Sequence, residues 1–168
     1  MKKRILPVVA AICLLFCRGE GAEKNPARVA CVGDGVTAGA GTLNPDMDSY
    51  PAVLAEMLGG NFEVRAFGLE GGTLMQSGGK PYTASGEFAE ALAFKPTHVV
   101  IMLGAEASRA ENRYDAAEFK RSLLELVGRF QGLDSRPSVF LCTPPYVARS
   151  SGGVDGDAVR ENVAPLIR

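Results

Sequence analysis

The sequence predicts an α/β fold built on a parallel sheet. Three observations carry that prediction. Four apolar runs of strand length alternate with helical patterns along the chain. Strands separated by helices form βαβ units, which set successive strands parallel through right-handed crossovers. Polar, glycine-bearing turns follow the first three runs, and a parallel sheet gathers such turns at one edge. A ligand site is expected there on geometry alone.

The N-terminal segment stands outside this fold. Lys2, Lys3 and Arg4 precede an apolar run from Ile5 to Phe16, and the small residues Gly19, Gly21 and Ala22 follow. This is the anatomy of a secretory signal peptide over residues 1–21, and the run is too short to span a bilayer. The chain is expected in the exported compartment, periplasmic or extracellular, with no stable membrane span after processing. An uncleaved anchor and a lipid on Cys17 are the alternatives; the bulky Phe16 before Cys17 argues against the lipid.

Residues 22–168 then form one domain, large enough for a core of its own. Processing removes Lys2, Lys3, Arg4 and Arg18 but only one acid, Glu20, so the remainder is more acidic than the whole chain, whose formal net charge is -1. No basic surface able to track phosphates is implied, and nucleic acid is not an expected partner. Cys13 and Cys17 leave with the leader. Cys31 and Cys142 lie in apolar strand runs, lack metal-ligand spacing, and are expected as buried thiols, since a disulfide would need adjacent, correctly directed strands.

Taken in order, the first strand covers about Arg28 to Gly33, and a loop with Asn44, Pro45 and Asp46 follows. A helix is expected from Ser49 to Leu58, with Ser49 as N-cap, Pro51 in its first turn, and Gly59 and Gly60 as its stop. Phe62 to Phe67 reads as the second strand. Its turn is Gly68-Leu69-Glu70-Gly71-Gly72-Thr73, and a loop continues through Gly79 and Pro81. A short helix near Glu87 to Phe94 ends at Pro96. Thr97 to Leu103 is the third strand, a near-continuous apolar run of the kind buried on both faces. Asp115 to Phe130 is the clearest helix, with a capping box from Asp115 and Glu118 and an apolar stripe of Phe119, Leu123, Val127 and Phe130. Ser138 to Thr143 is the fourth strand, closed by Pro144 and Pro145. A last helical pattern runs from Asp157 to Arg168, with a kink expected at Pro165.

The three turns read Gly33-Asp34-Gly35-Val36-Thr37-Ala38-Gly39, then the segment around Glu70 and Gly71, then Gly104-Ala105-Glu106-Ala107-Ser108. With the strand and helix order, they make the chain resemble the SGNH hydrolases, or GDSL-type esterases, from Arg28 to its end. Among that family's branches it looks most similar to secreted bacterial carbohydrate O-acetylesterases of the sialate type. The resemblance implies a three-layer α/β/α sandwich of flavodoxin-like kind, no cofactor, and a carbohydrate ester as ligand. It also implies a nucleophilic serine in the first turn, where this chain has Gly35. The second turn of the family gives a glycine N–H to the oxyanion hole, matched by Gly71. The third gives an asparagine to the same hole, matched here by Glu106. An Asp-x-x-His turn and a last strand would follow, and the sequence stops at Arg168 before them.

Glycine has no hydroxyl, so no acyl-enzyme forms at position 35. An ionised Glu106 donates no hydrogen bond and repels a developing oxyanion. The chain's one histidine, His98, opens the third strand, roughly 20 Å from the turns at ~3.3 Å per residue. Thr37 and Ser108 lie near the turns without an evident base. The expected pocket residues are therefore Asp34, Gly35, Gly71 and Glu106, in an esterase-like protein of little or no activity. A non-catalytic carbohydrate-binding pseudoenzyme is the alternative reading. Two rivals use the same turns. Gly33, Gly35 and Gly39 superficially resemble a dinucleotide loop. Asp34, Glu70 and Glu106 are three carboxylates that a hard cation would suit, unless Asp34 caps its own turn and Glu70 faces solvent. With the last strand missing, the fourth would be an open edge, and a partner chain covering it is a further expectation.

Overall fold

The structure is a computed structural model that describes residues 25–112, 114–145, 147 and 153–168. The expected leader, with Cys13 and Cys17, lies outside the described residues. Among the described residues four strands form one sheet: β1 (Ala27–Gly33), β2 (Phe62–Gly68), β3 (His98–Met102) and β4 (Ser138–Leu141). Their order is β2-β1-β3-β4 and every pairing is parallel. Register brings Gly33 level with Gly68 and with Met102, so the chain leaves three adjacent strands at one height. Among the described residues, β2 and β4 are the edges of this sheet.

One sheet face presents Ala30, Val32, Phe67, Val99 and Ile101 to the main core. Helix α4 (Gly86–Ala93) adds Phe88 and Ala91 to it, and α5 (Ala116–Gln131) adds Phe119, Leu123, Leu126 and Phe130. Each of the buried valine, isoleucine, leucine and phenylalanine side chains contributes about 1.5–3 kcal/mol of hydrophobic stabilisation. The other face carries Val29 and Cys31, and α3 (Tyr50–Leu58) packs against β2. Tyr82, fully buried, donates from its hydroxyl to the Phe67 carbonyl at 2.7 Å and so ties the loop after β2 back to the strand.

The structure corrects several expectations. The segment around Asn44 is not a plain loop: Asn44 caps a short helix, α2 (Pro45–Asp48), its side chain accepting from the Asp46 N–H, with Pro45 in the first turn. Ser49 does occupy the N-cap of α3, but its side chain makes no capping bond. Strand β3 is not buried on both faces. Its residues alternate, Val99 and Ile101 buried, His98, Val100 and Met102 half-buried. The capping box of α5 is half made. Asp115 accepts from the Glu118 N–H at 2.6 Å, while Glu118 reaches across to Ser77, accepting from its N–H and its hydroxyl at 3.0 Å each. Cys142 lies just beyond the end of β4 and is half-buried, and β3 stands between β4 and β1, which holds Cys31. Burial pushes the Cys31 thiol up to about 11, against a hydrogen bond from Tyr50. The last helical pattern is divided. Between α6 (Gly156–Ala158) and α7 (Ala164–Ile167), the backbone widens into a π-turn over Val159–Val163, just ahead of Pro165. Proline cannot donate to the preceding turn, which explains the departure from regular helix there.

Candidate functional site

Beyond the carboxyl ends of β1, β2 and β3 the sheet opens into a cleft of about 930 Å³. All four expected pocket residues, Asp34, Gly35, Gly71 and Glu106, line it, as does Glu70. The topology explains the convergence, because three level strand ends deliver three turns to one crevice.

After β1 the chain turns at once into α1 (Gly35–Ala38). Asp34 is its N-cap, its carboxylate accepting from the Val36 N–H at 3.0 Å. Bare glycines let this turn seat against the sheet. A Cβ on Gly33 would lie 1.9 Å from Thr37 Oγ1, and one on Gly68 would lie 2.2 Å from the Ala38 nitrogen. Gly35 is different. Its Cβ direction meets Ala40 Cβ at 3.4 Å and Glu70 Cγ at 3.6 Å, ordinary contact distances, with no positive φ. A side chain fits there, so the glycine is not a steric requirement of the turn.

Asp34 is 3% exposed. Burial raises its carboxyl from 3.8 to about 6; the Val36 N–H works against that rise, and the charge of Glu106 adds to it. Glu106 sits on the 3₁₀ turn Ala105–Ser108, buried, and Arg109 Nε is pressed against its carboxylate as an ion pair one turn on. Arg109 also lies 3.9 Å from Glu111. Behind them, buried Asn112 accepts from the Gly79 N–H at 3.0 Å and donates to the Glu106 carbonyl at 2.6 Å, joining two walls of the cleft.

The remaining candidates fall away from the cleft chemistry. Thr37 is fully buried, and its hydroxyl shares a hydrogen bond of 3.1 Å with the Tyr50 hydroxyl. The Ser108 hydroxyl donates to the Ala105 carbonyl and accepts from the Asp155 N–H. His98 begins β3 at the far end of the strand, stacked on Phe140 and bonded to Thr97. The dinucleotide reading fails on the helix itself: α1 has four residues and its capped end is taken by Asp34. The carboxylates of the cation reading have other roles here: Asp34 caps its own turn, Glu106 pairs with Arg109, and Glu70 is exposed.

Sequence reasoning missed Lys80, Arg109 and Asn112, all of which line the cleft. Arg109 had a readable signal, three residues after Glu106. Lys80 and Asn112 had none, since long-range loop packing places them.

No protein-family model matches the chain. It is 28% identical over 161 residues to an acetylxylan esterase of Xylanibacter ruminicola, an alignment that covers 86% of this chain and 34% of that protein. The chain thus spans about a third of the length of this curated relative. Among solved structures, a carbohydrate acetylesterase from Sinorhizobium meliloti superposes with a TM-score of 0.66 at 22% identity, covering 84% of this chain and 77% of that one. The aryl esterase of M. smegmatis gives 0.61 at 22% identity, over 83% and 79% of the two chains. The chain has the SGNH hydrolase fold. Its resemblance to that family therefore stands on sequence and on structure, and its parallel α/β sheet matches the expectation from the alternating runs. In SGNH terms the cleft lies where the fold's three turns meet, at Asp34, Glu70–Gly71 and Glu106.

Proposed function

We propose that the cleft binds O-acetylated carbohydrate in the exported compartment and that this chain hydrolyses the ester slowly or not at all. The observation that carries the reading is Gly35. It sits at the first position of α1, in the lining of the cleft, where the resemblance calls for a serine and where a side chain has room. A hydroxyl is absent from a position that accommodates one, so the covalent step has no nucleophile there. The Glu106–Arg109 pair supports the same reading, since a carboxylate takes the position of a neutral donor. The size of the cleft and the names of the similar proteins, acetylxylan esterase and carbohydrate acetylesterase, support the substrate class.

Calorimetric titration with an acetylated xylo-oligosaccharide, beside an assay with p-nitrophenyl acetate, tests both halves. Saturable binding with turnover no faster than the spontaneous reaction is expected. Absence of binding overturns the ligand class. Turnover that disappears in Thr37→Ala or Ser108→Ala reveals a replacement nucleophile and overturns the inactive reading.

A further inference from the structure

Among the described residues, two cationic side chains line the cleft, Lys80 and Arg109, and one of them is spent. Arg109 is engaged by Glu106 and Glu111. Lys80 has no carboxylate within ion-pair distance among the described residues; its ammonium donates to the Glu70 carbonyl at 3.2 Å. That bond places the charge over the second turn. A Cβ built on Gly71 would lie 3.5 Å from Lys80 Cδ and 3.7 Å from Nζ. Gly71, at φ +75°, has an N–H with no acceptor among the described residues, so an N–H donor and an ammonium stand side by side at the cleft wall.

The lysine is also presented on a fixed backbone. The Thr73 N–H donates to the Lys80 carbonyl at 3.0 Å, and the Tyr82 N–H returns to the Thr73 carbonyl at 2.8 Å. Thr73 and Tyr82 are both fully buried, and the Gly79 N–H is held by Asn112. Pinned neighbours on both sides reduce the ordering cost of binding a ligand there.

We propose that Lys80 is the acyl-oxygen-binding cation of this cleft, holding the carbonyl oxygen of an ester or the carboxylate of a free acid against the turn at Gly71. The inference rests on the acyl-ligand reading above and adds a residue to it. The ammonium supplies the positive donor that Glu106 cannot, through a charge-assisted hydrogen bond.

The experiment is an NMR titration of the full chain with sodium acetate, a charged probe, and with triacetin, a neutral ester, following the Gly71 amide. Lys80→Met and Lys80→Gln are expected to weaken acetate binding by about tenfold or more, and Lys80→Arg to retain it. Glutamine keeps a donor for the Glu70 carbonyl, so it separates the charge from support of the turn. Acetate binding by the unaltered chain is expected to weaken with salt. Triacetin binding that falls in Lys80→Met extends the role to the ester carbonyl; triacetin binding left unchanged by it restricts the role to free acids. Absence of acetate binding, or unaltered acetate affinity in the methionine or glutamine variant, overturns the proposal. If the acetylated oligosaccharide fails to bind while acetate binding still depends on Lys80, the carbohydrate reading falls and the lysine assignment stands.

Discussion

The side-chain amide of Asn112 donates to the carbonyl of Glu106 at 2.6 Å, and this bond fixes one wall of the cleft to another. Its oxygen accepts from Gly79, so one buried side chain holds the turn after β3 against the loop that carries Lys80. Replacing Asn112 by alanine strands a buried carbonyl and frees the loop, and about 2 kcal/mol of stability is expected to be lost. Asn112→Asp is expected to cost more, because a carboxylate oxygen then faces the Glu106 carbonyl. Urea denaturation of the three proteins measures the order.

Two glycines that look alike in sequence are expected to respond in opposite ways. Gly68→Ala puts a Cβ 2.2 Å from a backbone nitrogen of α1, which has no flexible end to move aside. A loss of about 3 kcal/mol or more is expected. Gly60 has nothing within 4 Å of its Cβ direction and no positive φ, so Gly60→Ala is expected to be neutral or stabilising by about 0.5 kcal/mol. Thermal melts of both variants decide the matter. A tolerated Gly68→Ala would mean that α1 does not sit against β2 as described.

The strands were legible because β1, β3 and β4 hold short apolar runs, β2 alternates apolar residues with Glu63 and Arg65, and glycine or proline bounds them; their alternation with helices implied the parallel sheet and the common edge of the turns. That edge placed the three turns, and the resemblance to the SGNH hydrolases singled out Asp34, Gly35, Gly71 and Glu106 within them. What escaped depends on contacts between distant segments. Glu118 has the spacing of a capping box, yet Ser77, forty-one residues away, captures its carboxylate. The run Thr97 to Leu103 is apolar on both faces in sequence, while in the fold only alternate residues of β3 are buried, and Phe140 beside it stays half exposed. Lys80 reaches the cleft through a bridge from Thr73 that no local pattern announces. The helix at Pro45 was readable from Asn44 followed by proline, a capping signal that a loop reading overlooks.

Gly35→Ser tests whether the turn is still built for a side chain. The nearest atoms to a Cβ there are at 3.4 Å or beyond, so stability is expected to change by about 1 kcal/mol or less. Hydrolysis of p-nitrophenyl acetate is expected to stay at the background rate. A lone hydroxyl needs an adjacent base, and the chain's one histidine is at the opposite end of β3, stacked on Phe140. A burst of p-nitrophenol from the variant would contradict this and would place a working base beside position 35.

The acid of the first turn predicts the pH response. Burial lifts the folded-state pKa of Asp34 from 3.8 to about 6, so the folded protein holds this proton more tightly than the unfolded chain does. The stabilising contribution is fully present below about 3.8 and is lost as pH rises through about 6. At neutral pH the buried charge costs on the order of 3 kcal/mol relative to the protonated form. Asparagine at position 34 keeps an N-cap acceptor for the Val36 N–H but carries no charge. Asp34→Asn is therefore expected to be more stable than the unaltered chain at pH 7, to match it near pH 4, and to lose the fall between those values that Asp34 causes. Urea unfolding free energies at pH 4, 5, 6 and 7 provide the comparison. Parallel profiles for the two proteins would show that the proton on Asp34 is not what couples folding to pH.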